Sequence, residues 1–203
     1  MGIVRILISA IRVKGCSEAL TNSIYIMAKK VIMNSETIAK TVSRITDEII
    51  SSNRDSGQLV VVGIRTRGIY LAQRLAERVE NMTGVKPPLG TLDISLYRDD
   101  LQIKREWPEL KKTDIPFTID RKTVVLVDDV IFTGRTSRAA IEAIMDFGRP
   151  SSIQLAVLVD RGHRELPIQP DYVGNKINTK KDEKVKVLLN ETDGKDEVII
   201  NKE

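Results

Sequence analysis

Apolar residues Ile38, Val42, Ile45 and Ile49 recur at spacings of four, three and four, the period of a single helix face. The pattern predicts a helix that starts at Ser35, placed to cap it, and runs to about Ser52. A turn at 53–57 separates it from Leu59–Ile64, a continuous valine-rich run of the kind buried on both faces of a parallel sheet. Thr66, Arg67 and Gly68 follow, and then Ile69, Ala72, Leu75, Ala76 and Val79 mark the buried stripe of a second helix. Leu92, Ile94 and Leu96 alternate with Asp93 and Ser95, as in a half-exposed strand. Further on, 124–127 reads as a buried strand, 135–147 as a helix stopped by Gly148 and Pro150, and 153–159 as another strand. Segments 185–189 and 198–200 read as a late hairpin. Strands alternating with helices imply right-handed crossovers and a parallel sheet with helices on both faces. Such sheets bind ligands beyond the C-terminal ends of their strands. The expectation is one α/β domain over 27–203.

Composition changes this picture little. Of 203 residues, 30% are charged and 41% apolar, the balance of an ordinary globular domain and not of a disordered chain. The one cysteine, Cys16, excludes an internal disulfide and fits a reducing cytoplasm. With His163 as the one histidine, no transition-metal cluster is expected, which leaves a hard cation held by oxygens. The net charge of +4 is partly an end effect: Arg5, Arg12 and Lys14 against Glu18 give 1–26 a charge of +2, leaving +2 for the rest. A nucleic-acid partner therefore has to meet a local basic face. The apolar run 3–13 is too short to span a membrane and is broken by Arg5 and Arg12, and Ile6 stands where myristoylation wants Ser or Thr. Met27, followed by Ala-Lys-Lys, reads as a natural start, so 1–26 is expected to be a dispensable extension.

The chemistry concentrates in 124–136, Val-Val-Leu-Val-Asp-Asp-Val-Ile-Phe-Thr-Gly-Arg-Thr. A buried strand delivers Asp128 and Asp129 to its C-terminal end, and a loop through Val130, Ile131, Phe132, Thr133, Gly134, Arg135 and Thr136 opens into a helix. Free amides and the positive dipole end of that helix make a phosphate seat, and Gly134 lets the backbone approach it. The two acids, placed beside that seat, suit ribose hydroxyls. A plain capping turn would not explain two neighbouring carboxylates at that place. The turn Gly63-Ile64-Arg65-Thr66-Arg67-Gly68 offers a second anion site, since a guanidinium binds phosphate oxygens bidentately. A strand-to-helix turn with surface arginines is the blander alternative there.

The stretch 124–136 resembles the signature of type I phosphoribosyltransferases, and the resemblance implies that fold, with a small flexible hood over the parallel sheet. It implies a ribose 5-phosphate on the loop and ribose hydroxyls on Asp128 and Asp129. The 63–68 turn resembles the family's pyrophosphate loop, with Thr66 and Arg67 as ligands. Segment 93–100 and the charged excursion 98–113 resemble the hood, with Arg98 joining Arg67, Asp128 and Asp129 in catalysis. With Val159-Asp160-Arg161-Gly162-His163-Arg164-Glu165-Leu166-Pro167 added, 59–189 closely resembles the PyrR family, regulators of pyrimidine-biosynthesis mRNA with uracil phosphoribosyltransferase activity. That implies uracil and phosphoribosyl pyrophosphate as substrates and UMP as product. It further implies Mg²⁺ arriving with the pyrophosphate, Arg161 near the base, and a cytoplasmic homodimer or higher homo-oligomer. Pyrimidine-operon leader mRNA would be the RNA partner, met by Ser43, Arg44, His163 and Arg164. Ser43 replaces a threonine common in relatives, and Gln169 stands where they tend to carry arginine, which weakens the RNA side of the resemblance. A salvage enzyme without an RNA role, a regulator with vestigial activity and, less favoured, a purine transferase stay open.

Overall fold

A computed structural model describes residues 29–53, 56–97 and 113–202. The extension 1–26, Arg98 and all of the expected hood except Thr113 lie outside the described residues. In chain order the elements are β1 (Lys29–Asn34), α1 (Ser35–Ser52), β2 (Leu59–Ile64), α2 (Gly68–Thr83), β3 (Leu89–Leu92), β4 (Thr123–Ile131), α3 (Arg135–Met145), β5 (Ser152–Asp160), β6 (Tyr172–Lys176), β7 (Glu183–Leu188), α4 (Asn190–Asp193) and β8 (Glu197–Lys202).

Five strands form a parallel sheet in the order β3-β2-β4-β5-β6, and β1, β8 and β7 form a second, antiparallel sheet. The apolar runs make sense here because alternate side chains of one strand enter different cores. Leu59, Val61, Val125 and Val127 join Ile38, Ile45 and Leu75 of α1 and α2 on one face. Val60, Val62, Val124 and Leu126 join Ala139, Ala140 and Ile144 of α3 on the other. The α/β class and the flanking helices are thus as the pattern predicts.

Local details differ. Asn34, not Ser35, caps α1: its Oδ1 accepts the Thr37 amide at 2.9 Å, and Ser35 is the first helical residue. In α2 the buried stripe runs through Leu71, and Ile69 is only half-buried. The alternation at 92–96 is not one strand. β3 ends at Leu92 because Asp93 Oδ1 accepts from the Ser95 amide at 2.9 Å and turns the chain into a short 3₁₀ turn, Ser95–Tyr97. Ile94 is buried there, whereas Leu96 is 72% exposed. α3 stops at Met145, short of Phe147, through a tightened last turn in which the Asp146 and Phe147 amides reach Ala143 and Ile144. β6 carries too little apolar pattern to be foreseen, although Tyr172 is buried and bonds Gln154 at 3.0 Å.

Gly174 of β6 explains how closely α1 approaches the sheet. A Cβ there would stand 2.3 Å from the Leu158 carbonyl oxygen and 2.6 Å from Thr41 Cγ2. Gly174→Ala should therefore cost about 1–3 kcal/mol of stability, read as a lower denaturant midpoint with an unchanged slope; a midpoint equal to the parent's would disprove the close packing.

Candidate active site

The candidate site lies where the neighbouring parallel strands β2 and β4 end. β4 does not stop before the acids but runs through them to Ile131, with Asp128 opposite Val157 and Ile131 opposite Asp160 of β5. Asp128 is therefore a strand residue and is buried, while Asp129 is half-buried. The Asp129 amide donates to Asp128 Oδ1 at 2.9 Å. Burial, and next the neighbouring Asp129, push the Asp128 carboxyl well up. Asp129 is also raised by burial, but the hydrogen bond from Asp128 and the nearby Arg67 cation pull it back. Both carboxyls are thus raised by burial, with the Arg67 cation acting on Asp129.

Arg67 comes from the β2–α2 turn, whose Arg65–Thr66 peptide is cis. Gly63 and Gly68 permit the turn: a Cβ on Gly63 would meet Ile69 Cα at 2.5 Å, and one on Gly68 the Val127 carbonyl at 2.3 Å. That contact sets α2 directly against β4 beside the acids. Thr66 is exposed at the tip. Arg67 Nη2 reaches both Asp193 oxygens at 3.2 and 3.3 Å, and its Nε is buried without a hydrogen-bond partner.

After Ile131 the chain passes through Phe132 and Thr133 to Gly134, whose φ of 91° is open to glycine and which precedes α3 without any side-chain cap. Of the first α3 amides that of Arg135 reaches Thr133 Oγ1 at 3.4 Å, with Thr133 and Thr136 half-buried there and Arg135 exposed, an arrangement open to an anion. The 160–168 segment braces this loop from outside. Thr133 O accepts the Glu165 and Leu166 amides at 2.9 and 3.1 Å, and Arg135 pairs with Glu165 at 2.8 Å. Arg164 donates to Phe132 O at 2.8 Å and to Ile168 O at 3.1 Å, and pairs with Asp160 at 2.8 Å.

The buried Arg161 lies 4.1 Å from the Phe132 ring centroid, its pKa lowered by that burial. His163 meets the same ring edge-on, and its Nε2 donates to Thr179 O at 2.6 Å, which places the proton on Nε2. Val130 is half-buried behind the acids.

Asp128, Asp129, Arg67, the 130–136 loop and Arg161 are thus brought to one end of the sheet. Ser43 and Arg44 are elsewhere, on α1, where Arg44 Nη2 donates to the edge carbonyls of Val173 and, at closer range, Gly174. Thr179, which clamps Arg161 and His163, and Asp193, 126 positions from Arg67, carry no local sequence signal.

Among the described residues no three His, Cys, Asp or Glu side chains gather as a metal cage. Two carboxylates at a phosphate seat nonetheless suit Mg²⁺, which keeps waters and binds through one or two carboxylates plus substrate oxygens.

A domain profile described as phosphoribosyl transferase domain matches residues 30–191, so the chain belongs to that family. Solved structures agree on the fold. The hypoxanthine phosphoribosyltransferase of Trypanosoma cruzi superposes with a TM-score of 0.65 at 18% identity, covering 88% of this chain and 99% of that one. That of Staphylococcus aureus gives 0.63 at 20%, covering 86% and 92%. Within the family the chain is one of the PyrR proteins. It is 53% identical to Bifunctional protein PyrR of Halalkalibacterium halodurans over 84% of this chain and 96% of that one. It is 54% identical to Bifunctional protein PyrR of Pelotomaculum thermopropionicum over 85% and 95%. It is a phosphoribosyltransferase.

A carboxyl with a higher pKa in the folded chain binds its proton more tightly there, so it opposes folding increasingly as pH rises above about 4, the unfolded value. Asp128→Asn should accordingly melt a few degrees higher than the parent at pH 8, with a gap that narrows towards pH 4. A variant that melts lower at pH 8 would show that the buried carboxylate is compensated.

Proposed function

We propose that the protein transfers the phosphoribosyl group of phosphoribosyl pyrophosphate to N1 of uracil, giving UMP and pyrophosphate. We further propose that the UMP-bound form binds leader mRNA of a pyrimidine-biosynthesis operon and so controls transcription attenuation. The observation that carries the transferase reading is the meeting of three elements at adjacent strand ends: the Asp128–Asp129 pair, the uncapped α3 N-terminus and the Arg67 turn. The uracil and RNA roles rest on the resemblance to the PyrR family, and the relatives named bifunctional support two activities.

In this reading the α3 amides, with Thr133 and Thr136, hold the 5-phosphate, and Asp129, beside Asp128, accepts hydrogen bonds from the ribose hydroxyls. Arg67 and Thr66 take the pyrophosphate. The C1–O bond breaks with its electron pair leaving on pyrophosphate, the N1–C1 bond forms, and N1 loses its proton. Positive charge opposite the departing oxygens therefore does most of the work. Bound Mg²⁺ would add to that neutralisation from the pyrophosphate side. Arg98 is assigned the same task from the hood, and Arg161, stacked on Phe132, forms a wall near the base.

UMP keeps the 5-phosphate and ribose of the substrate, so the same site reports it. Arg44, with Ser43 beside it, and His163 and Arg164 are the proposed RNA contacts; the protein would work in the cytoplasm as a homo-oligomer. One observation favours a salvage enzyme without an RNA role: the Arg164 side chain is only 13% exposed and already serves Asp160 and three carbonyls.

Asp129→Ala should lower UMP formation at least ~10²-fold, the scale of a lost transition-state contact; near-parental turnover in a folded variant would refute the site. Titration of leader RNA with and without UMP separates the two readings. UMP should tighten RNA binding, and RNA should tighten UMP binding by the same factor. Arg44→Glu should weaken that binding and flatten its salt slope by roughly one. RNA affinity indifferent both to UMP and to Arg44→Glu would leave the salvage reading.

A further inference from the structure

Asp193 sits in the α4 turn between β7 and β8, held in place from α2. Arg74, two helical turns beyond Arg67, pairs with Glu191 at 2.7 Å and with Asp196 at 2.8 Å. Asp196 also accepts the Asn190 amide at 2.8 Å. Within this anchored turn the Asp193 carboxylate accepts the Thr192 hydroxyl at 2.7 Å and the Leu189 amide at 3.1 Å. Those two bonds come first in holding its pKa down at about 2, with Arg67 a lesser cause. The carboxylate is thus satisfied by its own turn.

Arg67 is not. It reaches Asp193 through Nη2 alone, at 3.2 and 3.3 Å, longer than the ~2.7–2.9 Å of a strong charge-assisted bond. Its Nε is buried and has no hydrogen-bond partner. Asp193 would lose little on parting from Arg67, while Arg67 has donors for a better acceptor. The pair is also only about a quarter exposed, at 26% and 19%, so the anion opposite Arg67 matters more than at an open surface.

We infer that Asp193 is the internal anion that pyrophosphate replaces on Arg67, and that its fixed charge limits how tightly the pyrophosphate moiety is held. This rests on the reading of Arg67 as a pyrophosphate ligand. Before substrate binds, Asp193 occupies Nη2. Pyrophosphate oxygens take over Nη2 and Nε, and Asp193 is left on Thr192 and Leu189, still ionised beside the bound anion. Its repulsion favours release of the product pyrophosphate.

The test uses the full chain with Asp193→Asn, which keeps an acceptor for the Leu189 amide and removes the charge. The KM for phosphoribosyl pyrophosphate and the inhibition constant of inorganic pyrophosphate should both fall about three- to tenfold, the effect of one partly buried charge. The KM for uracil should stay within about twofold, because only the pyrophosphate side changes. Thr192→Val keeps the charge but takes away its main partner, so Asp193 leans harder on Arg67 and neither constant should fall; Asp193→Glu should return them towards the parent. If Asp193→Asn does not fold, Asp193→Ser carries the same expectation. Unchanged or raised constants in Asp193→Asn, or an equal fall in Thr192→Val, overturn the inference. Calorimetric titration with inorganic pyrophosphate keeps the two readings apart. A parent that forms no UMP sinks the uracil reading, whereas equal pyrophosphate affinity in parent and Asp193→Asn sinks the role of Asp193.

Discussion

Removing two neighbouring carboxyls from water at the end of β4 is the constraint around which this site is built. Burying an ionised carboxylate without compensation is costly, and side by side the two disfavour each other's ionisation. Burial pushes both carboxyls up, and the hydrogen bond from Asp128 and then the Arg67 cation pull Asp129 back down. Arg67 can stand there only because α2 begins flush against β4, and that requires the bare Cα of Gly68 under the Val127 carbonyl. The acids and the cation are therefore brought together by one piece of backbone packing, Gly68 against Val127.

The same economy of support governs the phosphate loop. Gly134 gives α3 no side-chain cap, and within the loop itself the Arg135 amide reaches Thr133 Oγ1 only at a long 3.4 Å. Rigidity comes from 160–168, through Glu165 and Leu166 amides on Thr133 and the Arg164 guanidinium on Phe132. Arg164 in this structure thus has a bracing task that any contact with RNA phosphate would have to share. Arg44, half-exposed on α1, is freer to turn outward, although it too covers the β6 edge carbonyls.

Much of this was legible in the sequence, for physical reasons. The valine runs of β2 and β4 and the period of α1 are properties of contiguous residues, and so is the Asp-Asp loop before a helix. What could not be read depends on neighbours distant in the chain. β6 is held by Gln154 and by the fit of Gly174 against Thr41, not by its own apolar pattern. The alternation at Leu92, Ile94 and Leu96 is real, but the side chain of Asp93 overrides it by closing a turn. The extent of β4 was underestimated because charged residues suggest a strand's end, whereas here the ladder to β5 continues through them. Asp193 and Thr179 reach the site across 126 and 16 or more positions, and no local pattern marks such partners.

These supports bear on how one site could serve both transfer and regulation. In the proposed reading phosphoribosyl pyrophosphate and UMP share the 5-phosphate and ribose, so the α3 amides and Asp129 would treat them alike. UMP adds the base, and on the leaving-group side what would differ between them is the anion opposite Arg67. That anion would be pyrophosphate with the substrate and, with UMP, Asp193 of the α4 turn that Arg74 grips through Glu191 and Asp196. A conformational signal that separates product from substrate has to pass through a group that senses this difference, since a ligand shifts an equilibrium only through unequal interaction with its states. Arg67 acts electrostatically on Asp129 on one side and bonds Asp193 of the β7–β8 turn on the other. Among the described residues it is therefore the side chain through which occupancy of the leaving-group site would reach the rest of the fold.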